Sequence, residues 1–327
     1  MTVQEQQPKV YIVVLNYMSW QDTVECLESL LRLNYQNKEI IVVDNDSPNG
    51  SFLHLTSWAQ DNLPSFLALK ESEATQSSAL SGQNPPVVFI KADKNAGFAA
   101  GNNLGIRHVL QKNDHDYLWL LNNDTTVDHD SLDELVKRAQ FDQSSVKPVG
   151  IWGSKLLYYH QPEVIQALGG KLDLRTFTTH HLAEGEPDGP QHNVPALQQD
   201  YVIGASLFVS RKFLEEVGLL SEDYFLYFEE LDWAQRAERA GYGLGYVWSS
   251  RVYHKEGQTI GSSSSGKQKS ALADYHGIRS KIIFFRKFYP QRTLQLYLLL
   301  MASALLRVSR LQFKRAATVF KLILQTK

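Results

Sequence analysis

Three groups of acids, each placed where an apolar run stops, are the residues in this chain with the means to do chemistry. The first closes the run Tyr117–Leu121, where Asn122, Asn123 and Asp124 follow five bulky residues. A short, β-prone run of that kind reads as a strand buried on both faces, and the acid after it falls at the carboxyl edge of a sheet, where open α/β folds bind ligands. The second follows Ile40–Val43, with Asp44 at the point where strand becomes loop. The third is Tyr227-Phe228-Glu229-Glu230-Leu231-Asp232-Trp233, three carboxylates among aromatic rings. Aromatic packing strips water from a carboxylate and raises its pKa, which suits it to act as a base near neutrality. Each group also has a plainer explanation. Asn and Asp are common turn residues, and acids are favoured at a helix N-terminus.

The elements that must position these groups follow from the pattern of apolar residues. Val10–Leu15 reads as a strand ending at Asn16, with a helix from Asp22 capped by Asp22 and Glu25 and then the Ile40–Val43 strand. That order predicts a parallel crossover, the unit of a nucleotide-binding sheet. Val87–Ile90 continues the sheet into Lys94-Asn95-Ala96-Gly97-Phe98-Ala99-Ala100-Gly101-Asn102-Asn103, a glycine- and asparagine-rich turn suited to close backbone approach and to offering N–H groups to phosphate oxygens. It is neither the Walker pattern nor Gly-x-Gly-x-x-Gly. Ser131 and Glu134 read as a capping box for a helix after Asp124. Further strands are expected at Val149–Ser154, at Tyr201–Ser210 with a break at Gly204-Ala205, and up to His254, with a short helix Arg211–Val217 stopped by Gly218. Lys70–Pro86 and His180–Gln199 read as loops, the second a mobile one. His180 and His181 lack a third ligand at binding spacing and are read as structural.

Composition sets the outer bounds. With 327 residues, 43% hydrophobic and 21% charged, the chain suits one large core or two modest ones. A formal net charge of -2 argues against nucleic acid as a partner. The charge is uneven, because no Asp or Glu follows Asp274 while Lys and Arg continue to the last residue. The lone Cys26 excludes an internal disulfide and fits a reducing compartment, and Met1–Lys9 lacks the apolar core of a secretion signal, so a cytoplasmic location is expected. Leu294–Leu306 is the longest apolar run and falls short of the roughly 20 residues that span a bilayer. From Gly277 onward, apolar clusters among cations suit either a basic amphipathic surface lying on the cytosolic face of a membrane or a helical cap on the core.

Taken in order, the motifs resemble those of family 2 glycosyltransferases, inverting nucleotide-sugar enzymes of GT-A fold, and especially their bacterial rhamnosyltransferase-like branch. The resemblance runs from about Val10 to Gly257 and rests on Val14–Asn16, Val42–Asn45, the Lys94–Asn103 turn, Leu121–Asp124, Phe228–Trp233 and His254. It implies an α/β GT-A domain over 8–257, with a Rossmann-like mixed sheet flanked by helices, and a C-terminal helical extension over 258–327. It implies that Asp44 contacts the nucleobase, that Asn16, Asn95, Gly97, Asn102 and Asn123 line the nucleotide, and that Asp124 with His254 holds Mg²⁺ or Mn²⁺. Glu230 stands where the family carries its base, usually the Asp of a Glu-Asp pair, with Glu229 and Asp232 as substitutes. The chain departs from the family at Asn122, often a carboxylate, at Ser221, often Asp, and in the added Lys70–Pro86 loop. The donor implied is a UDP- or dTDP-linked sugar and the acceptor a saccharide or a lipid-linked one, as in cell-surface polysaccharide or glycolipid assembly. Two other readings compete. A sugar-phosphate nucleotidyltransferase would open with a glycine-rich, Arg-bearing loop where Asn16–Trp20 stands, and a non-catalytic carbohydrate-binding protein would not need acids at three strand ends.

Overall fold

The computed structural model describes residues 7–76, 85–143, 147–255 and 270–325. The first half alternates strand and helix: β1 (Val10–Asn16), α1 (Trp20–Leu31), β2 (Lys38–Asp44), α2 (Ser51–Asn62), β3 (Leu67–Lys70), α3 (Glu71–Ala74), β4 (Val87–Lys91), α4 (Phe98–Lys112) and β5 (Tyr117–Asn122). Then come β6 (Thr125–Val127), α5 (Ser131–Asp142), β7 (Val149–Tyr158), β8 (Gln161–Ala167), β9 (Gly170–Asp173), β10 (Thr178–His181), β11 (Ser206–Ser210), α6 (Arg211–Val217), α7 (Glu229–Arg239) and β12 (Gly243–His254). Three helices follow: α8 (Ala271–Phe288), α9 (Thr293–Ser309) and α10 (Phe313–Gln325).

The main sheet has the order β3-β4-β2-β1-β5-β11-β7-β12-β6, with β8 paired to β7, while β9 and β10 form a separate hairpin. From β3 to β5 all neighbours are parallel, and β11 enters antiparallel between β5 and β7. The two faces of β1 show why its sequence is apolar throughout. Val10, Ile12 and Val14 pack with α1, α2 and α5 on one side, and Tyr11 and Val13 pack with α4 on the other. Burying each large apolar side chain in this way contributes roughly 1.5–3 kcal/mol, which favours an apolar residue at each position of β1 before Asn16. The third core joins Leu231 of α7 to Phe284 and Phe285 of α8 and to Leu296 and Leu300 of α9, so the C-terminal helices cap the domain. The expected boundary at 257/258 lies outside the described residues. No helix among the described residues is long and apolar enough to cross a membrane.

Several local expectations are corrected by tertiary partners. Helix α1 starts at Trp20 after Ser19, whose hydroxyl donates to Asp22 Oδ2 at 2.5 Å, so Asp22 sits inside the first turn instead of capping it. Ser131 and Glu134 do not close a capping box. The Ser131 hydroxyl donates to the Arg251 carbonyl at 2.8 Å, and Glu134 accepts from Ser249 at 2.7 Å, both on β12. Lys70–Pro86 is not a loop throughout: Lys70 ends an edge strand and Glu71–Ala74 is helical, while residues 77–84 lie outside the described ones. The expected mobile loop His180–Gln199 is fastened instead. Its Asp188 and Asn193 accept from the fully buried Lys155 ammonium at 2.6 and 2.8 Å, because a cation inside the fold requires that compensation. His180 and His181 stand in β10 opposite Lys171 and Gly170. The strand expected from Tyr201 begins only at Ser206, with Tyr201 forming a single bridge to Gly170.

Candidate active site

Register brings the first residues of the site together. In the parallel ladder Asn16 on β1 stands opposite Asp44 on β2, and Leu15 stands opposite Asn122 on β5. Three neighbouring strands, spaced about 4.8 Å apart, therefore end level with one another. The chain leaves β1 toward β2 on one side while β5 lies on the other, so their carboxyl ends flank a switch point of the sheet. A relay of hydrogen bonds fixes this edge. Asn123 Nδ2 donates to Thr23 Oγ1 at 2.9 Å, the Thr23 hydroxyl donates to Asn16 Oδ1 at 2.9 Å, and Asn16 Nδ2 donates to Asp44 Oδ2 at 2.6 Å. The Ser47 N–H supplies the other Asp44 oxygen at 3.0 Å. Asp44 is thus an oriented, buried acceptor.

The β4–α4 turn is pinned to the same edge. Asn95 Oδ1 accepts from Asn45 Nδ2 and from the Gly97 N–H, both at 3.0 Å, while Asn102 Nδ2 donates back to the Phe98 carbonyl at 3.0 Å. Gly97 has φ +96°, and a Cβ there would lie 2.3 Å from the Phe225 carbonyl oxygen. The close approach at Gly97 is thus to the protein's own backbone, and the Phe98 N–H donates to that same carbonyl at 2.8 Å.

Asp124 and His254 meet. Asp124 immediately precedes β6, and in the antiparallel β6–β12 pair Thr125 stands opposite His254. His254 Nε2 lies 3.1 Å from Asp124 Oδ1. On the far side of the ring, Gln166 Oε1 accepts from His254 Nδ1 at 2.7 Å. With Nδ1 donating to Gln166, Nε2 is the atom that faces the carboxylate, and in the neutral ring it would offer a lone pair there, the donor arrangement that a divalent cation takes from a His–carboxylate pair backed by an outer partner. Among the described residues no cluster of three or more His, Cys, Asp or Glu could hold a metal. A cation here would take two protein ligands and draw the rest from phosphate oxygens, which fits Mg²⁺ or Mn²⁺. Gln166, buried on β8, carries no signal in the sequence that links it to His254.

The acid cluster sits at the N-terminus of α7, after Tyr227 and Phe228 in the left-handed region at φ 68° and 74°. For bulky residues this backbone costs about 1–3 kcal/mol each and persists only where surroundings enforce it. Phe228 is held against Phe284 and Phe285, and the Ser280 hydroxyl donates to the Leu226 carbonyl at 2.8 Å. Glu229 is buried, its Oε2 has no hydrogen-bond partner, and burial followed by the neighbouring Glu230 charge raises its pKa well above the usual carboxylate range. Glu230 is half-buried, and desolvation pushes its carboxyl up to about 7. It lines a groove of about 360 Å³ together with Thr178, Thr179, Tyr227, Lys281 and Arg307. Asp232 is placed differently. It is fully buried and accepts from Arg236 Nε at 2.6 Å, Lys287 Nζ at 2.6 Å and the Tyr224 hydroxyl at 3.0 Å, so its carboxylate serves as an internal counter-ion.

Asp44, Asp124 and His254 do not line the Glu230 groove. One short segment connects the two places. Tyr201, whose hydroxyl pKa is raised by burial and by Glu230, lies four residues from Ala205, whose carbonyl accepts from the Asn122 N–H at 3.0 Å. Four residues span at most about 14 Å, which bounds the separation of the Tyr201 and Ala205 backbones along this segment.

The sequence profile described as Glycosyl transferase family 2 matches residues 10–182, more than half of the chain. The chain belongs to glycosyl transferase family 2. Asn16, Asp44, the Asn95–Asn102 turn and Asp124 of this family 2 member fall inside the matched region, and Glu229, Glu230, Asp232 and His254 fall beyond it. The low-salt glycan biosynthesis hexosyltransferase Agl10 of Haloferax volcanii is 24% identical over 245 residues, covering 75% of this chain and 66% of that protein, just under two thirds of its length. Among solved structures, GalNAc-T7 with UDP, GalNAc and Mn²⁺ is similar with a TM-score of 0.57 and 16% identity, over 84% of this chain and 48% of that one. The Pyrobaculum calidifontis mannosyltransferase in complex with GDP-Man and Mn²⁺ has a TM-score of 0.51 and 13% identity, over 99% of this chain and 77% of that one. At such identities the likeness shows the fold, and the GT-A architecture expected from the motifs is the one observed.

Proposed function

We propose that this family 2 protein is an inverting glycosyltransferase that moves a hexosyl or rhamnosyl unit from a UDP- or dTDP-linked donor to a hydroxyl of a saccharide or lipid-linked acceptor. The observation that carries the reading is the Asp124–His254 pair, 3.1 Å apart at the carboxyl edge beside the Asn16–Asp44 relay and backed by Gln166. Asp44 and Asn16 orient the nucleoside, with the backbone of the Asn95–Asn102 turn alongside. Mg²⁺ or Mn²⁺, held by Asp124 and His254, would offset the charge of the departing diphosphate. Glu230 accepts the proton of the acceptor hydroxyl as that oxygen bonds to the anomeric carbon. The bond from that carbon to the diphosphate breaks, and the nucleoside diphosphate leaves with the electron pair. Attack opposite the leaving group inverts the configuration. A carboxyl titrating near 7 matches the base to a neutral medium. In this role the protein works on the cytosolic side, in glycan assembly at the cell surface, with no nucleic acid as partner.

Incubation with a panel of nucleotide sugars and Mn²⁺ tests it. Acceptor-stimulated release of nucleoside diphosphate, lost in Asp124→Asn with folding retained, is the expected result. Release of pyrophosphate would assign a nucleotidyltransferase instead, and binding of saccharide without any product would assign a carbohydrate-binding protein.

A further inference from the structure

Helix α9 has a buried side and a bare one. Leu296, Leu300 and Ala304 pack inward with α8 and α10. On the other side Leu294, Leu298, Met301, Leu305 and Val308, spaced four, three, four and three residues apart, are exposed by 72%, 63%, 39%, 59% and 37%. That spacing draws one straight stripe, about 21 Å long at 1.5 Å per residue. Contiguous apolar surface of this extent is seldom left to water by a soluble protein. No charged residue interrupts the helix from Thr293 to Leu306. Exposed cations gather beyond its end, at Arg310, Lys314 and Lys321, in a stretch from Tyr275 onward that holds eleven Lys and Arg and no acid.

An apolar stripe with exposed cations gathered beyond its end fits an anionic lipid surface, where acyl chains receive the stripe and headgroups the cations. A second copy of the chain could cover the stripe, but its own stretch beyond Asp274 offers these cations no acid, whereas anionic headgroups do. We propose that α9 docks this protein on an anionic bilayer, with the Leu294–Val308 stripe in the interface. The inner flank of the same helix, through Leu300, Ser303 and Arg307, walls the Glu230 groove. The groove therefore lies one helix diameter, roughly 10 Å, behind the docked stripe, and the acceptor it serves is one anchored in that membrane. Docking stands apart from the transfer reading, and only the statement about the acceptor rests on it.

Flotation of the full chain with phosphatidylcholine vesicles, with and without phosphatidylglycerol, tests the proposal. Binding to the anionic vesicles that weakens with salt is expected, and Leu298→Glu with Leu305→Glu should reduce it by about tenfold or more while leaving the melting temperature unchanged. Calorimetric titration of the same variant with UDP and with dTDP in Mn²⁺ should match wild type. Loss of nucleotide binding in both proteins would count against sugar transfer and leave docking intact. Absence of vesicle binding by wild type, binding undiminished in the variant, or a wild-type dimer that the variant splits without any lipid binding would overturn the docking assignment.

Discussion

Replacing Glu230 by Gln should produce two opposite effects in one molecule. The carboxyl is raised from 4.5 to about 7 by desolvation, so holding it ionised inside the fold costs about 2.5 × 1.36, or about 3 kcal/mol. Below the unfolded value both states keep the proton and the cost is absent. Between 4.5 and about 7 the unfolded chain releases a proton that the folded one retains, so wild-type stability falls as pH rises, and the fall is complete once the folded group also ionises. Glutamine carries no such charge. Urea denaturation should therefore give the two proteins similar stability near about pH 4 and the variant an advantage approaching 3 kcal/mol near about pH 8, enlarged to the extent that Glu229 also loses its charged neighbour. Transfer should fall by about 10²–10⁴-fold, and the rising limb of the wild-type pH–rate profile near 7 should disappear. A variant that transfers normally removes Glu230 as the base. A stability difference that stays flat across this pH interval removes the desolvated carboxylate from which its role is argued.

Gln166→Leu takes away the group that fixes the His254 ring and should weaken Mn²⁺ affinity by about 10–100-fold without unfolding the protein, as read by calorimetric titration. Asp232→Asn leaves the partly exposed Arg236 and Lys287 without their shared buried counter-charge and should cost about 1–3 kcal/mol in denaturation experiments. A loss of transfer without a loss of stability in that variant would show that Asp232 takes part in the chemistry.

How far these features could be read from residues alone depends on how local their causes are. Strands β1, β2 and β5 announce themselves by apolar runs closed by Asn16, Asp44 and Asn122, because a strand covered on both faces favours apolar residues up to its end. The limits of α6 follow from the periodic residues between Arg211 and Val217 and the stop at Gly218. The edge strand β3 escapes notice because half its residues face water. The early part of β12 is hidden by Gly243 and Gly245, which weaken any strand pattern, the second lying against the Trp152 ring. The Asp124–His254 pair was expected from the ordered motifs, whereas Gln166 and the Lys155–Asp188–Asn193 clasp depend on partners 88, 33 and 38 residues away. Such pairings are set by sheet register, which no single stretch of sequence contains.

The antiparallel seam between β6 and β12 spans the distance from Thr125 to His254 along the chain. During synthesis the carboxyl edge formed by β1, β2 and β5 can be complete while the imidazole that would share its cation has yet to leave the ribosome. Long-range contacts of this kind close late. A polypeptide that ends before β12 would therefore gather Asn16 and Asp44 at the sheet edge while Asp124 still lacks His254, and the edge strand β6 finds its partner only when β12 enters between it and β7.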